Sequence, residues 1–211
     1  MALRGWKGGR TALIWAALAA ALSIPIAAAA ASPLLEWRDP IYIAAGFAGV
    51  IALGLMLVQP LLMGGYLPGL RAYQEQRVHR WVGGMLVSMV VIHVAGLWIT
   101  SPPDVIDALL FTSPTPFSAW GVIAMWALIA VAFLVAFRRR LRLRPRAWRL
   151  AHRVLVAVIV LGTTVHAVLI EGTMETISKI ALCALVLVAT LKVIIDLWAR
   201  DKRTTSRTAT P

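Results

Sequence analysis

Apolar residues run through this chain in six long blocks, at about 11–31, 41–63, 78–100, 119–137, 150–170 and 177–198, with short polar segments between them. A helix of about 20 residues covers about 30 Å, the thickness of a bilayer's hydrocarbon core. The pattern therefore predicts an all-α fold, a polytopic membrane bundle of six transmembrane helices with no β-rich region. This membrane domain takes in residues 11–198, between a short polar N-terminus at 1–10 and a tail at 199–211. The tail ends in DKRTTSRTATP and is expected to be disordered. The first block follows Arg4, Lys7 and Arg10 and ends near Ala28, Ala29 and Ala30, small residues that resemble a signal-peptide cleavage site. It is long for the apolar part of a signal, so a retained helix is the expectation.

The polar segments give the blocks a direction. Arg71, Arg77 and Arg80 lie between or beside the second and third blocks, and FRRRLRLRPRAWR (Phe137 to Arg149) carries seven arginines after the fourth. Arg200, Lys202, Arg203 and Arg207 follow the sixth. The alternate connections are acidic or mixed: Glu36, Arg38 and Asp39, then Asp104 and Asp107, then Glu171, Glu175 and Lys179. Cytoplasmic loops keep an excess of Lys and Arg, so the basic segments and both termini are expected on the cytoplasmic side of a bacterial inner membrane. The third and fifth helices then run parallel, both from the cytoplasm outward.

Those two helices hold the chain's four histidines. His79 and His93 stand fourteen residues apart in VHRWVGGMLVSMVVIHVAGLWIT, and His152 and His166 repeat the interval in LAHRVLVAVIVLGTTVHAVLI. Fourteen residues turn an α-helix through roughly 1400°, about 40° short of four turns, so each pair shares one face, about 21 Å apart along the axis. On parallel helices His79 meets His152 at one depth and His93 meets His166 at another. Antiparallel helices would instead pair His79 with His166. Matched ladders of this kind are what two stacked haem groups, each with two histidine ligands to iron, require in a membrane bundle. Histidines that only pack or hydrogen-bond, or that bind another metal or relay protons, are the competing readings; polar groups inside a bilayer are expensive and usually serve a purpose.

Composition narrows the choice. Of the 211 residues 60% are hydrophobic and 14% charged, which excludes an ordinary soluble domain. The net charge of +12 sits between apolar blocks, so it is read as setting membrane orientation and not as a nucleic-acid surface. The one cysteine, Cys183, allows no intrachain disulfide, zinc site or cysteine-ligated iron–sulfur cluster. Metal chemistry rests on histidine.

The segments HRWVGG…VIHVAG and AWRLAHRVL…TTVHAV resemble the ferric reductase-like transmembrane domain superfamily. Its members include membrane ferric reductases, NADPH oxidases and the haem-binding membrane subunit of the bacterial methionine sulfoxide reductase system. The resemblance covers the second to sixth helices and implies a six-helix bundle with b-type haem between the third and fifth. It implies His79, His93, His152 and His166 as axial ligands of haem iron, with two haems expected and one the alternative found in the sulfoxide-reductase branch.

Other residues take supporting parts. Arg77, Arg80, Arg149 and Arg153 lie beside His79 and His152, where they would hold haem propionates or, alternatively, orient the helices and meet anionic lipid. Gly83, Gly84 and Gly162 lie within about a turn of a histidine, which makes room for a flat macrocycle or for close helix packing. Trp81, Met85, Met89 and Trp98 read as packing and interfacial anchors, and Lys192 with Asp196 as a structural ion pair. No G-x-G-x-x-G fingerprint follows a strand, so no flavin or NAD(P)H domain is expected.

The expected protein is thus an oxidoreductase component, a haem b electron carrier across the bilayer with no assigned catalytic residue. It would rely on a separate donor, a flavin reductase or quinol, and pass electrons to ferric iron or a periplasmic redox enzyme such as a methionine sulfoxide reductase. Membrane lipid is a partner and nucleic acid is not. A quinol-linked cytochrome b anchor subunit, or a haem-free metal or proton transporter, is the alternative.

Overall fold

The computed structural model describes residues 2–207, with side chains from 8 to 199. Its long helices are α1 (Ala2–Ala30), α2 (Pro40–Gly64), α3 (Ala72–Thr100), α5 (Pro116–Ala136), α7 (Pro145–Leu169) and α8 (Thr176–Arg207). Two short helices, α4 (Pro102–Leu109) and α6 (Arg138–Leu141), occupy connections, and one 3₁₀ turn spans Pro33–Leu35. No strand occurs among the described residues. All six long helices contain a stretch long and apolar enough to cross a membrane, so the chain is a multi-pass membrane protein.

The helix ends follow local chemistry. Proline stands at the first position of α2, α4, α5 and α7, where the missing N–H costs nothing. Asp39 caps α2 by accepting from Ile41 N at 2.7 Å, and Gly65, at φ 72°, ends the helix in the left-handed conformation that glycine adopts without strain. At the start of α3, Gln74 Oε1 accepts from Arg71 N at 2.8 Å. Glu175 caps α8, accepting from Ile177 N at 2.7 Å and Ser178 N at 2.8 Å. The far end of α7 is closed by Lys179, which is buried and donates to Ile170 O at 2.7 Å, placing a cation at a helix C-terminus.

Three details depart from the apolar blocks. α3 begins at Ala72 and α7 at Pro145, because their first turns, AYQEQR and PRAWR, are polar but helix-compatible and continue the helix beyond the hydrocarbon region. The tail expected to be disordered is helical as far as Arg207, an extension of α8; residues 208–211 lie outside the described residues. Arg142, at φ 45°, breaks the arginine-rich connection into α6 and the approach to α7.

The bundle is built as two tight helix pairs, α2 against α3 and α5 against α7, joined by α8, which packs on both α2 and α7. α1 lies against α2 and α8; its Ala29 is fully buried, and Trp15 donates to Pro68 O at 3.2 Å. Small residues let backbones approach where lipid supplies no hydrophobic drive. A Cβ on Gly96 would stand 2.7 Å from Ala45 Cβ, and one on Gly162 would stand 3.0 Å from Trp120 O. Gly162 therefore serves helix packing. The core runs along α2 through Val50, Leu53, Met56 and Leu57 and reaches Leu128, Ile159, Leu182 and Val186. Trp81 and Trp98 are exposed on α3, as anchors at a membrane boundary are, and the Lys192–Asp196 ion pair closes at 3.0 Å with Tyr66 also donating to Asp196. By contrast with the two tight pairs, α3 and α7 scarcely touch each other.

Candidate functional site

α3 and α7 face each other across that loosely packed seam and carry all four histidines. His79 and His152 lie within charge-interaction range of one another, and so do His93 and His166. The chain thus assembles two layers, paired as parallel helices require. The His79–His152 layer lies at the end that bears the arginine-rich connection; the His93–His166 layer is the far layer.

In the far layer each ring is held from behind by a neighbouring helix. His93 Nδ1 lies 2.7 Å from Ala45 O on α2, and His166 Nδ1 lies 2.9 Å from Phe117 O on α5. A carbonyl oxygen only accepts, so Nδ1 carries the proton in both rings and donates it. That fixes the tautomer and leaves Nε2 as the lone-pair nitrogen, the state in which imidazole ligates a metal. Phe117 also meets the His166 ring edge-on, with centroids 5.9 Å apart. Both rings lie against a glycine, Gly49 under His93 and Gly121 under His166.

The arginine-side layer is built differently. Nδ1 of His79 and Nδ1 of His152 are buried and have no hydrogen-bond partner in the protein. Gln59 on α2 comes close, but its Nε2 donates to the backbone carbonyl of His79 at 3.3 Å, over Gly83, and its Oε1 is left buried and unpartnered. His152 stacks on Trp148, one turn earlier on α7, with centroids 5.4 Å apart and planes 13° from parallel. Arg138 lies over the indole at 4.4 Å, a cation–π contact that ties α6 to this layer. Trp148 Nε1 is also buried without a partner.

The arginines predicted beside this layer divide by exposure. Arg77, Arg80 and Arg149 are exposed and Arg153 is half-buried. Arg77 and Arg80 line an open depression with Trp81. Gly83 seats Gln59, while Gly84 faces open space. Sequence reasoning did not single out Gln59, Trp148, Arg138, Gly49 or Gly121, and four of these stand on helices that carry no histidine.

The donor set suits a particular kind of guest. Among the described residues no three His, Cys, Asp or Glu side chains gather to enclose a bare metal ion. Each layer offers two imidazoles only, which fits a group that brings its own equatorial ligands. The far layer, with both tautomers fixed, meets that requirement with its protein hydrogen bonds complete.

The family described as ferric reductase like transmembrane component matches residues 46–163, more than half of the chain. The chain belongs to this family. The match runs from α2 to near the end of α7, takes in His79, His93 and His152, and stops three residues before His166. No curated protein and no solved structure matches the chain. Membership of the ferric reductase-like transmembrane family gives this multi-pass protein a membrane redox role.

Proposed function

We propose that this ferric reductase-like protein is a haem b carrier that moves electrons across the bilayer through two histidine layers. The observation that carries the reading is the far layer, where two imidazoles on opposite sides of the α3–α7 seam are both locked with Nε2 free to ligate. When bound, haem supplies one-electron redox chemistry; His79 with His152 and His93 with His166 would hold its iron. The exposed Arg77, Arg80 and Arg149 and the half-buried Arg153 supply positive charge beside the first layer, suited to propionates.

In this reading loop charge sets the orientation in the membrane, and the direction of electron flow is taken from the family. The arginine-rich connection, both termini and the His79–His152 layer lie on the cytoplasmic side, and His93 and His166 lie toward the outer leaflet. Electrons enter from a separate cytoplasmic-side flavin reductase or from quinol and leave to ferric iron or a periplasmic redox enzyme. A dithionite-reduced minus oxidised spectrum of the purified protein, with haem quantified per chain, tests the proposal. A b-type spectrum with about two haems per chain is expected, one per layer. A haem-free protein from haem-replete cells would overturn it and favour a metal or proton transporter. A reporter at the C-terminus should read as cytoplasmic, and a periplasmic signal would reverse the direction.

A further inference from the structure

In an α-helix every Cα–Cβ bond tilts toward the N-terminus, so the side chain of residue i+4 leans over the carbonyl of residue i. That carbonyl already accepts the helix bond and has a second lone pair to give. Inside a bilayer no water reaches the second lone pair, and a neighbouring helix reaches it only where residue i+4 leaves room. Both carbonyls that bind histidine here meet this condition. Gly49 stands four residues after Ala45, and Gly121 four residues after Phe117.

The fit is close in both cases. A Cβ on Gly49 would stand 3.1 Å from His93 Nδ1 and 3.2 Å from its Cε1. A Cβ on Gly121 would stand 2.7 Å from His166 Nδ1 and 2.9 Å from its Cε1. Ordinary carbon contacts begin near 3.5 Å, so an alanine at 121 forces the ring away from Phe117 O, and one at 49 presses it more mildly. The same device recurs a third time: Gln59 Nε2 reaches His79 O over Gly83, four residues on, where a Cβ would stand 3.1 Å away.

We propose that Gly121 and Gly49 are positioning residues, each opening a notch beside a helix carbonyl that sets the tautomer and plane of an axial histidine in the far layer. The notches rest on the haem reading above, and they locate its control on α5 and α2, helices that supply no ligand themselves. Loss of a hydrogen bond behind a metal-bound histidine commonly lowers metal affinity about 10- to 100-fold. Gly121→Ala should weaken far-layer haem binding within that range, with Gly49→Ala giving a smaller loss. Gly9→Ala, on α1 with open space at its Cβ, is the matched control.

The test is low-temperature EPR of the oxidised, membrane-extracted protein together with haem per chain, the far-layer signal being the one that His166→Ala abolishes. In Gly121→Ala the far-layer g-values of the haem that remains should shift, with a lesser shift in Gly49→Ala and none in Gly9→Ala. A glycine needed only for packing would lower folded yield and leave those g-values alone. If Gly121→Ala gives no inserted protein, Gly49→Ala carries the test on the same readout. Wild-type g-values and wild-type haem affinity in the glycine variant measured would overturn the inference and leave the haem reading standing. A haem-free wild type would fell that reading, and the inference with it.

Discussion

The two histidine layers use the same residue type at the same spacing on the same two helices, yet only one is tethered. In the far layer both Nδ1 atoms donate to main-chain carbonyls; in the arginine-side layer both are buried and unpartnered. The difference originates on α2 and α5, not on the helices that carry the histidines. Ala45 offers its carbonyl to His93, whereas Gln59, fourteen residues on along α2, offers its amide to the His79 backbone and leaves the ring alone. His152 is steadied by an indole face instead of a hydrogen bond. Equal spacing along a chain therefore does not make equal sites. Tautomer and ring plane come from the partner helix, and a ring without such a partner takes them from whatever it binds.

The largest effects should come from removing ligands. His166→Ala or His93→Ala should cost the far haem, and His79→Ala or His152→Ala the arginine-side haem, each leaving about one per chain in an inserted protein. Unchanged haem content in any of the four would withdraw that residue from the ligand set. A chain that loses both haems on any single change would erase the distinction between layers.

Trp148→Ala should act next and on one layer alone. Aromatic stacking contributes about 0.5–1.5 kcal/mol, so arginine-side haem should dissociate a few-fold to about tenfold more readily. Haem retention measured against an apomyoglobin trap reads this directly. An equal loss from both layers would show that Trp148 supports the bundle and not the His152 ring.

Gln59→Leu probes the same layer more gently. It removes one hydrogen bond to His79 O and one unpartnered Oε1, so the two costs offset and stability should change by no more than about 1 kcal/mol. A thermal-unfolding series would expose a larger drop, which would mean that the amide also restrains the His79 ring.

The smallest effect concerns the far end of α8. Hydrogen bonds from the Ser178 and Ile177 backbone hold the Glu175 carboxyl below the usual carboxylate range. The cap is therefore complete at neutral pH and is lost as the pH falls through that lowered value. Protection factors for amide exchange in the first turn of α8 should fall on acidification in the native protein and show no such step in Glu175→Gln. Equal pH dependence in both would remove Glu175 from the cap.

Much of this architecture can be read from the chain alone, because lipid imposes a length and a helix imposes a period. The six spans follow from block length, and the pairing of His79 with His152 and His93 with His166 follows from a shared interval and alternating loop charge. The first turns of α3 and α7 are not visible in hydropathy, since AYQEQR and PRAWR are polar, and the helix running on to Arg207 defies the composition of the tail. Gly49 and Gly121 are hidden for another reason. They stand more than forty residues from the histidines they seat, on helices with no histidine to draw attention, and only the packing of α2 on α3 and α5 on α7 makes them neighbours.

The sparse contact between α3 and α7 has a consequence for how the protein is made. A group ligated from both helices would act as a keystone between the two hairpins, with α8 as the main other tie spanning them among the described residues. Loading and maturation would then be a single equilibrium, because a ligand that binds only the closed form stabilises it by an amount that grows with the logarithm of its concentration over Kd. Cells short of the cofactor would accumulate a parted, protease-sensitive bundle, and supply of that one small molecule would govern the abundance of the carrier as well as its activity.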